Sequence, residues 1–419
     1  MKVLVVGSGG REHAIVWKLS QSSRIDKIYC APGNGGISDI AECLDICVLD
    51  TDGIIKACKE KSIDLVIVAP DDPLAMGMVN ALADAGIRAF GPTREAALIE
   101  SSKRFSKNLM KKYGIPTAEF ETFSDMDKAL EYIKNRRYPL VVKADGLALG
   151  KGVIICNTEE EAREAVISMM GRKKFGDAGN VIVVEEFLTG PEVSVLSFTD
   201  GKTIVPMVSA QDHKRVFDGD KGPNTGGMGA FSPSNVYTDE IADICMNRIF
   251  IPTMEAMNKE GRTFKGVLYF GLIITADGPK VLEYNARFGD PETQVVLPRL
   301  KNDLLDIVEA IIDERLHEIK IEWDSSACLC VIMASGGYPQ EYRKGLRITG
   351  LDSVKKGDDI LVFHAGTKKA GNEYYTNGGR VLGVTALGQT LKEAREKAYS
   401  QVAGIHFDGA HYRRDIGNF

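Results

Sequence analysis

The sequence predicts a multidomain α/β and α+β protein. Its expected units are a parallel-sheet N-terminal domain over 1–101, a linker helix in 102–122, a small lid-like α+β module in 123–189, a core in 190–325 and a mostly β C-terminal domain in 326–419. Three observations predict this. The 419 residues exceed what one hydrophobic core usually supports, so three or four units of about 70 to 150 residues are expected. The first hundred or so residues alternate short apolar strands with helical segments, the rhythm of a parallel sheet with crossover helices. The C-terminal stretch instead carries many short strands punctuated by turns at Gly336-Gly337, Gly371-Asn372 and Asn377-Gly-Gly379, with a helix near Thr390 to Val402.

Composition narrows the function classes. With 44% hydrophobic and 26% charged residues the chain reads as an ordinary globular protein. A net charge of -6 with no basic cluster argues against nucleic acid as the main partner. The apolar run Val3 to Val6 stops at Gly7, too short for a signal peptide or a membrane span, so a cytoplasmic location and no membrane partner are expected. The eight cysteines include no C-x-x-C and read as reduced thiols, without disulfides or metal.

In the first unit, strands are expected at Lys2 to Val6, Lys27 to Cys30 and Leu65 to Ala69, with helices over Arg11 to Gln21 and following Pro73. Gly7-Ser-Gly-Gly-Arg-Glu-His13 falls where the first strand turns into the first helix, where backbone N–H groups and a helix N-terminus receive phosphate. Glu12 fills the place of the third small residue of a dinucleotide fingerprint, and no acid ends the second strand, so a nicotinamide cofactor is disfavoured. Pro32-Gly-Asn-Gly-Gly36 and Ala69-Pro-Asp-Asp-Pro73 are turn-rich loops on the sheet's ligand-binding edge.

Ser101 to Lys107 opens a helix that Gly114 and Pro116 end. The module that follows should hold a helix near Met126 to Arg136 and strands at Leu140 to Lys143 and Gly152 to Cys156. The loop between those strands, Ala144 to Gly152, has glycines at 146, 150 and 152 and charge from Lys143 and Lys151, which suits a phosphate-covering hairpin without being a Walker loop. Val181 to Leu188 reads as a buried strand ending in acids. Glu185 and Glu192 can accept from an exocyclic amine and from ribose hydroxyls, with backbone near Phe187 reading the adenine edge, although solvated strand ends explain them as well. Gln211 to Asp220 reads as a charged loop, and Thr225 to Ala230 as a small-residue segment that a ligand can approach closely.

A helix near Asp239 to Asn258 and a strand from Gly266 to Thr275 lead to Val281–Gln294. This stretch alternates as a strand and then breaks at Gly289 and Pro291. Alternation puts Glu283 and Asn285 on one face and Leu282 and Tyr284 on the other. A carboxylate and an amide oxygen at that spacing suit Mg²⁺ or Mn²⁺ completed by water and substrate phosphates, and Arg287 adds a fork for phosphate or carboxylate. A closing helix is expected over Asn302 to Glu314.

These motifs, with Lys143-Ala-Asp-Gly146, Gly150-Lys-Gly152, Pro223 to Gly229 and the ending Tyr412-Arg-Arg-Asp-Ile-Gly417, resemble the glycinamide ribonucleotide synthetases (phosphoribosylamine-glycine ligases), a family of ATP-grasp ligases, over essentially the whole chain. The resemblance implies an ATP-grasp core and lid in the middle units, and ATP as co-substrate with Mg²⁺ or Mn²⁺. Lys103 and Lys143 would bind phosphates, with Gly150, Lys151 and Gly152 covering them; Glu185, Glu186, Phe187 and Leu188 would hold adenine and Glu192 ribose; Glu283 and Asn285 would hold the metal. Gly9, Gly10, Arg11, Asn34, Gly35, Asp71, Thr225, Gly226, Gly227, Met228 and Arg287 would form the substrate side, with the N-terminal glycine loop on the phosphate of phosphoribosylamine. Lys143, Arg287, Asp212 and Asp290 would serve the chemistry, and the sign of their charge and their neighbourhood in sequence make either Asp212 or Asp290 the expected partner of glycine's ammonium group. The small-molecule partners implied are glycine, 5-phosphoribosylamine and ATP, handled by a monomer or weak dimer. Two departures stand out. Gly271 occupies a position where many ATP-grasp enzymes carry a further acid, and Asp71 replaces an expected glutamate.

The implied reaction joins glycine to 5-phosphoribosylamine through glycyl phosphate. Other readings remain beside it: another ATP-grasp carboxylate-amine ligase or a carboxylase, a nicotinamide oxidoreductase built on the first unit, and a non-catalytic ATP-binding scaffold.

Overall fold

The computed structural model describes residues 1–148, 152–354, 357 and 359–418. The N-terminal unit is an all-parallel five-stranded sheet ordered Glu42–Cys43, Lys27–Pro32, Lys2–Gly7, Leu65–Val68, Ala89–Phe90. Val3 to Val6 are fully buried, which is why this run is apolar without alternating. Its carboxyl end passes directly into the helix Gly10–Leu19. The helix expected after Pro73 begins earlier, as Asp71–Met76, because proline is tolerated in a first turn whose N–H groups have no partner within the helix.

Ser102 caps the helix Lys103–Tyr113, its Oγ accepting from the Phe105 N–H at 3.1 Å, and Gly114 ends it in the left-handed conformation. The lid-like module is an antiparallel sheet ordered Phe120–Phe123, Ile182–Glu186, Leu140–Ala144, Val153–Cys156. Its edge strand comes from the stretch assigned to the linker, so the module begins before residue 123. It buries its own cluster, including Ala129, Ile133, Leu140, Val142, Ala162 and Ile182, separate from the core of the rest.

The central sheet is antiparallel in the order Ile204–Pro206, Glu192–Thr199, Gly266–Thr275, Gly278–Asn285. The C-terminal unit departs from expectation. Gln211–Asp212 and Gly229–Ser232 pair with Ala327–Ala334, Arg380–Gly388 and Ile360–His364 in a single five-stranded antiparallel sheet, so the C-terminal sheet takes in two strands from before residue 326. Ala230, Phe231 and Ser232 are fully buried there against Cys328 to Cys330. The stretch 211–220, expected as a loop, also enters a two-stranded hairpin, Arg215–Phe217 with Lys221–Asn224. One hydrophobic cluster joins Val3 and Ile15 to Phe198, Tyr269, Phe288 and Phe363, so the N-terminal, central and C-terminal units share a core. All eight cysteines are free, and six of them are buried. Among the described residues no helix is long and apolar enough to cross a membrane.

Candidate active site

The strand Gly278–Asn285 sets the site. Its register pairs Gly271 with Glu283 and Tyr269 with Asn285, and the pairing shifts so that Leu282 is an extra residue in the ladder. Glu283 and Asn285 are half-buried on either side of fully packed Tyr284, as the alternation predicts. The Asn285 amide is oriented by its hydrogen bonds: its nitrogen donates to Glu100 Oε1 at 2.9 Å and to the Tyr284 carbonyl at 3.2 Å. That commits the nitrogen and leaves Oδ1 as the atom to offer a cation.

Glu283 lies among cations. Burial alone would raise its pKa, but Lys214, Lys143, Lys103 and Arg287 hold it below the usual carboxylate range. Lys214 Nζ bridges Glu192 at 2.8 Å and Glu283 at 3.9 Å. Burial works against the charge on Lys214, yet Glu192, Asp212 and Glu283 raise its pKa well above the ordinary value. Asp212 pays the opposite penalty: burial, then Glu292, Glu192 and Glu283, push it up to about 7 against the pull of Lys214. One carboxylate and one amide oxygen are hard donors that fit Mg²⁺ or Mn²⁺. Among the described residues no group of three or more His, Cys, Asp and Glu side chains is arranged to hold an ion, so phosphate oxygens and water would have to complete the shell. At Gly271 a Cβ would stand 3.0 Å from Glu283 Cγ, so a side chain there would crowd Glu283. The additional buried acid is Glu292, its Oε1 accepting from Tyr269 OH at 3.0 Å and Ser194 Oγ at 3.1 Å.

Lys143 reaches from the lid sheet to the central strand, Nζ donating to the Leu282 carbonyl at 3.2 Å and pairing with Glu185 Oε2 at 2.9 Å. The same oxygen takes Lys107 Nζ at 3.0 Å, whose pKa burial lowers to about 8 despite Glu185. Glu185 Oε1 is buried and has no partner among the described residues, an acceptor waiting for a donor. Lys103 Nζ donates to the Gly146 carbonyl at 3.1 Å. Burial lowers its pKa, with Glu283 opposing. Glu186 and Phe187 are exposed and Leu188 half-buried just past the strand end, while Glu192 is exposed beside Lys214. The Gly152 carbonyl receives the Ala144 N–H at 2.8 Å; Gly150 and Lys151 lie outside the described residues.

Arg287 turns from this face to the N-terminal unit. Its Nη2 lies 2.9 Å from Glu100 Oε1 and 3.8 Å from Asp71 Oδ2, while buried Nε has no acceptor among the described residues. Burial pushes Asp71 up, but Arg287 and Arg11 outweigh it and keep the carboxyl below its usual range. Burial raises Glu100 in spite of Arg287.

On the substrate side several residues expected to face a ligand make contacts within the chain. The Gly9 N–H, expected to face a phosphate, donates to Glu12 Oε2 at 2.5 Å, and Glu12 Oε1 pairs with Arg11 at 2.6 Å, so a carboxylate caps the helix at that N–H. Arg11 spends a further nitrogen on the Phe288 carbonyl at 3.1 Å. A Cβ on Gly10 would come within 2.6 Å of Gln294 Nε2 in the 287–294 turn, and one on Gly9 within 2.7 Å of the capping Glu12 Oε2, with Asp290 Oδ2 in ordinary contact at 3.5 Å. The Asn34 side chain donates to the Ser8 and His364 carbonyls and accepts from the Gly36 and Ile37 N–H groups. Gly35 packs against the backbone of Lys368 and Lys369. Met228 is fully buried with Val216 and Ala334, a core residue. Thr225 donates to the Lys214 carbonyl and receives the Gly227 N–H; the Gly226 carbonyl accepts from Arg380 Nη1 at 2.6 Å; Gly227, at φ +109, lies against Pro291. Arg380, Glu100, Lys107, Lys214 and Glu292 carry much of the electrostatics without having been assigned a role from sequence.

Residues 1–100, 101–293 and 328–419 match the N domain, the ATP-grasp (A) domain and the C domain of phosphoribosylglycinamide synthetase. The chain belongs to the phosphoribosylglycinamide synthetase family. Among its relatives, the phosphoribosylamine–glycine ligase of Halalkalibacterium halodurans is 50% identical over 418 residues, covering 100% of this chain and 97% of the relative. That of Caldanaerobacter subterraneus is 49% identical over 416 residues, covering 99% of each. The crystal structure of the Thermotoga maritima phosphoribosylamine–glycine ligase superposes with a TM-score of 0.84 at 35% identity, covering 99% of this chain and 100% of that one. The biotin carboxylase domain of Hydrogenobacter thermophilus 2-oxoglutarate carboxylase, solved with MgADP and bicarbonate, gives 0.76 at 17% identity over 98% and 91% of the chains, a likeness of fold.

Proposed function

We propose that this ATP-grasp ligase joins glycine to 5-phosphoribosylamine, forming glycinamide ribonucleotide, ADP and phosphate in purine biosynthesis. The observation that carries the reading is the placement of the Glu283–Gln294 segment: Glu283 and Asn285 lie beside Lys143, Lys103 and Lys214 at one end, and Asp290 and Gln294 lie against Gly9 and Gly10 at the other. A phosphoryl donor and an amine acceptor brought to those two ends meet across one turn.

Glycine's carboxylate attacks the γ-phosphorus of ATP and ADP leaves, giving glycyl phosphate. The 1-amino group of phosphoribosylamine then attacks the acyl carbon, the C–O bond to phosphate breaks, and the amine loses a proton. No protein nucleophile is needed, so the chain contributes position, charge and exclusion of water. Lys103 and Lys143 neutralise phosphoryl oxygens, and Glu185 Oε1 receives the adenine amine. Glu283 and Asn285 would hold Mg²⁺ or Mn²⁺, which supplies charge to the polyphosphate. Arg287, with its Nε unspent, orients a carboxylate or phosphoryl oxygen. Asp212, in the acid-rich cluster next to Glu283, receives glycine's ammonium group. Asp290 has Oδ1 taken by Gln294 and Arg380, leaving Oδ2 toward Gly9 to receive the amine's proton. The reading includes a cytoplasmic monomer or weak dimer, which sedimentation of the purified chain tests.

The deciding assay follows ADP release with ATP, Mg²⁺, glycine and fresh phosphoribosylamine, omitting each in turn. Release that needs both glycine and the ribosylamine supports the reading. Release that ignores the ribosylamine, or prefers another amino acid, points instead to a different carboxylate-amine ligase.

A further inference from the structure

The C-terminal motif has no part in the chemistry above, yet it contains Arg413, whose side chain is only 1% exposed. All three of its guanidinium nitrogens are engaged: Nε and Nη2 donate to the two oxygens of Asp415 at 2.7 Å each, and Nη1 donates to Asp220 Oδ1 at 2.7 Å and to the Arg215 carbonyl at 3.1 Å. The neighbouring backbone repeats the pattern. The Arg414 N–H donates to Asp218 Oδ1 at 2.8 Å, the Gly219 N–H to Asp415 Oδ2 at 2.8 Å, and His411 Nε2 lies 2.8 Å from the Val216 carbonyl. Apart from Asp415, which belongs to the same motif, each of these partners lies on the hairpin Arg215–Phe217/Lys221–Asn224 or its tip. Asp220 sits at φ +52, a left-handed conformation that a non-glycine residue keeps only when its surroundings impose it.

The hairpin's two roots enter the active site. One is Lys214, which bridges Glu192 and Glu283. The other is Thr225, whose N–H and Oγ1 both donate to the Lys214 carbonyl at 2.8 Å. Arg413 grips the carbonyl of the very next residue, Arg215. Burying an arginine against carboxylates costs desolvation that an apolar contact of the same size avoids, so fastening a surface hairpin for stability alone would not call for it. What a rigid fork adds is fixed geometry.

We propose that Arg413 is a positioning residue for the ligase reaction: through the Asp220–Arg413–Asp415 clamp it fixes the hairpin and thereby sets Lys214 and the Thr225–Gly227 turn. The proposal rests on the function proposed above. The test compares wild type with Asp220→Asn, Arg413→Lys and Arg413→Gln. Asp220 is 72% exposed, so its neutral isostere removes the charge from the clamp without opening the core. The expected result is a fall in kcat of about tenfold for Asp220→Asn and more for both Arg413 variants, with the KM for ATP within about twofold and only partial recovery in Arg413→Lys. The amides of residues 215–224 should also exchange hydrogen faster in Asp220→Asn, measured without substrates. If Arg413→Gln does not fold, Asp220→Asn decides. A folded Asp220→Asn with wild-type kcat and unchanged hairpin exchange overturns the proposal, as does a loss of melting temperature in Arg413→Lys with kcat unaltered. Failure of wild type to require glycine and ribosylamine would instead overturn the function reading, and hairpin exchange would still report on the clamp.

Discussion

Arg380 holds Asp290 twice, Nη1 standing 3.2 Å from Oδ1 and 3.0 Å from the Asp290 carbonyl. The same nitrogen donates to the Gly226 carbonyl, so a side chain of the C-terminal sheet ties together two turns of the site. Burial works against the charge on Arg380, but Asp290, Tyr338, Glu292 and Glu12 raise its pKa above the ordinary arginine value. Arg380→Ala would leave Asp290 Oδ1 with Gln294 alone and free the 225–227 turn. Steady-state kinetics should show turnover lower by roughly 10²-fold, with the KM for ATP little changed, because Arg380's partners Gly226 and Asp290 are not among the residues proposed for the nucleotide.

Asp212 gives the reaction a pH limb. Its carboxyl is pushed up to about 7, above its ordinary 3.8, chiefly by burial and by Glu292. If ionised Asp212 receives glycine's ammonium group, kcat/KM for glycine should fall about tenfold per pH unit below 7, and Asp212→Asn should remove that limb with most of the activity. Stability moves in the other direction. A raised carboxyl pKa favours the protonated folded state, so the cost is absent below pH 3.8, grows as pH rises to about 7 and is constant above. Asp212→Asn should therefore melt higher than wild type at pH 8 and equally at pH 3.5, and thermal scans at both values check it.

Glu185 should set base specificity. Its free Oε1 is buried while Oε2 is held by Lys107 and Lys143. An acceptor there suits adenine's amine and opposes guanine's carbonyl oxygen. Glu185→Gln is expected to raise the KM for ATP at least tenfold and to narrow the preference for ATP over GTP, both read from initial rates.

The metal reading predicts opposite behaviour at two paired positions. Glu283→Ala should lower turnover by orders of magnitude with the fold intact by circular dichroism. Gly271→Asp, although it adds an acid beside Glu283, should raise the Mg²⁺ concentration needed for half-maximal rate, because its Cβ would stand 3.0 Å from Glu283 Cγ.

The central sheet and the face bearing Glu283 and Asn285 were legible because alternation is a local property of the chain, and Ser102 and Gly114 marked their helix for the same reason. What sequence hid is long-range. Glu100 reaches Ala286 from 186 positions away and Arg380 reaches Gly226 from 154, and no periodicity signals either. Asn34, Gly35 and Met228, placed on the substrate side by the resemblance, also make contacts that no local pattern signals, with the 364–369 segment and with Ala334 of the C-terminal sheet. The strand Gly229–Ser232 is fully buried by a partner about a hundred residues later, which is why the C-terminal unit looked separate.

The claim that the site forms glycyl phosphate is tested most directly with glycine labelled with ¹⁸O in its carboxylate. Attack on ATP transfers one carboxylate oxygen to the phosphoryl group, and expulsion by the amine releases it. Inorganic phosphate isolated after turnover should carry one ¹⁸O, and the amide of the product should keep the other. Unlabelled phosphate accompanied by full product formation would contradict the account.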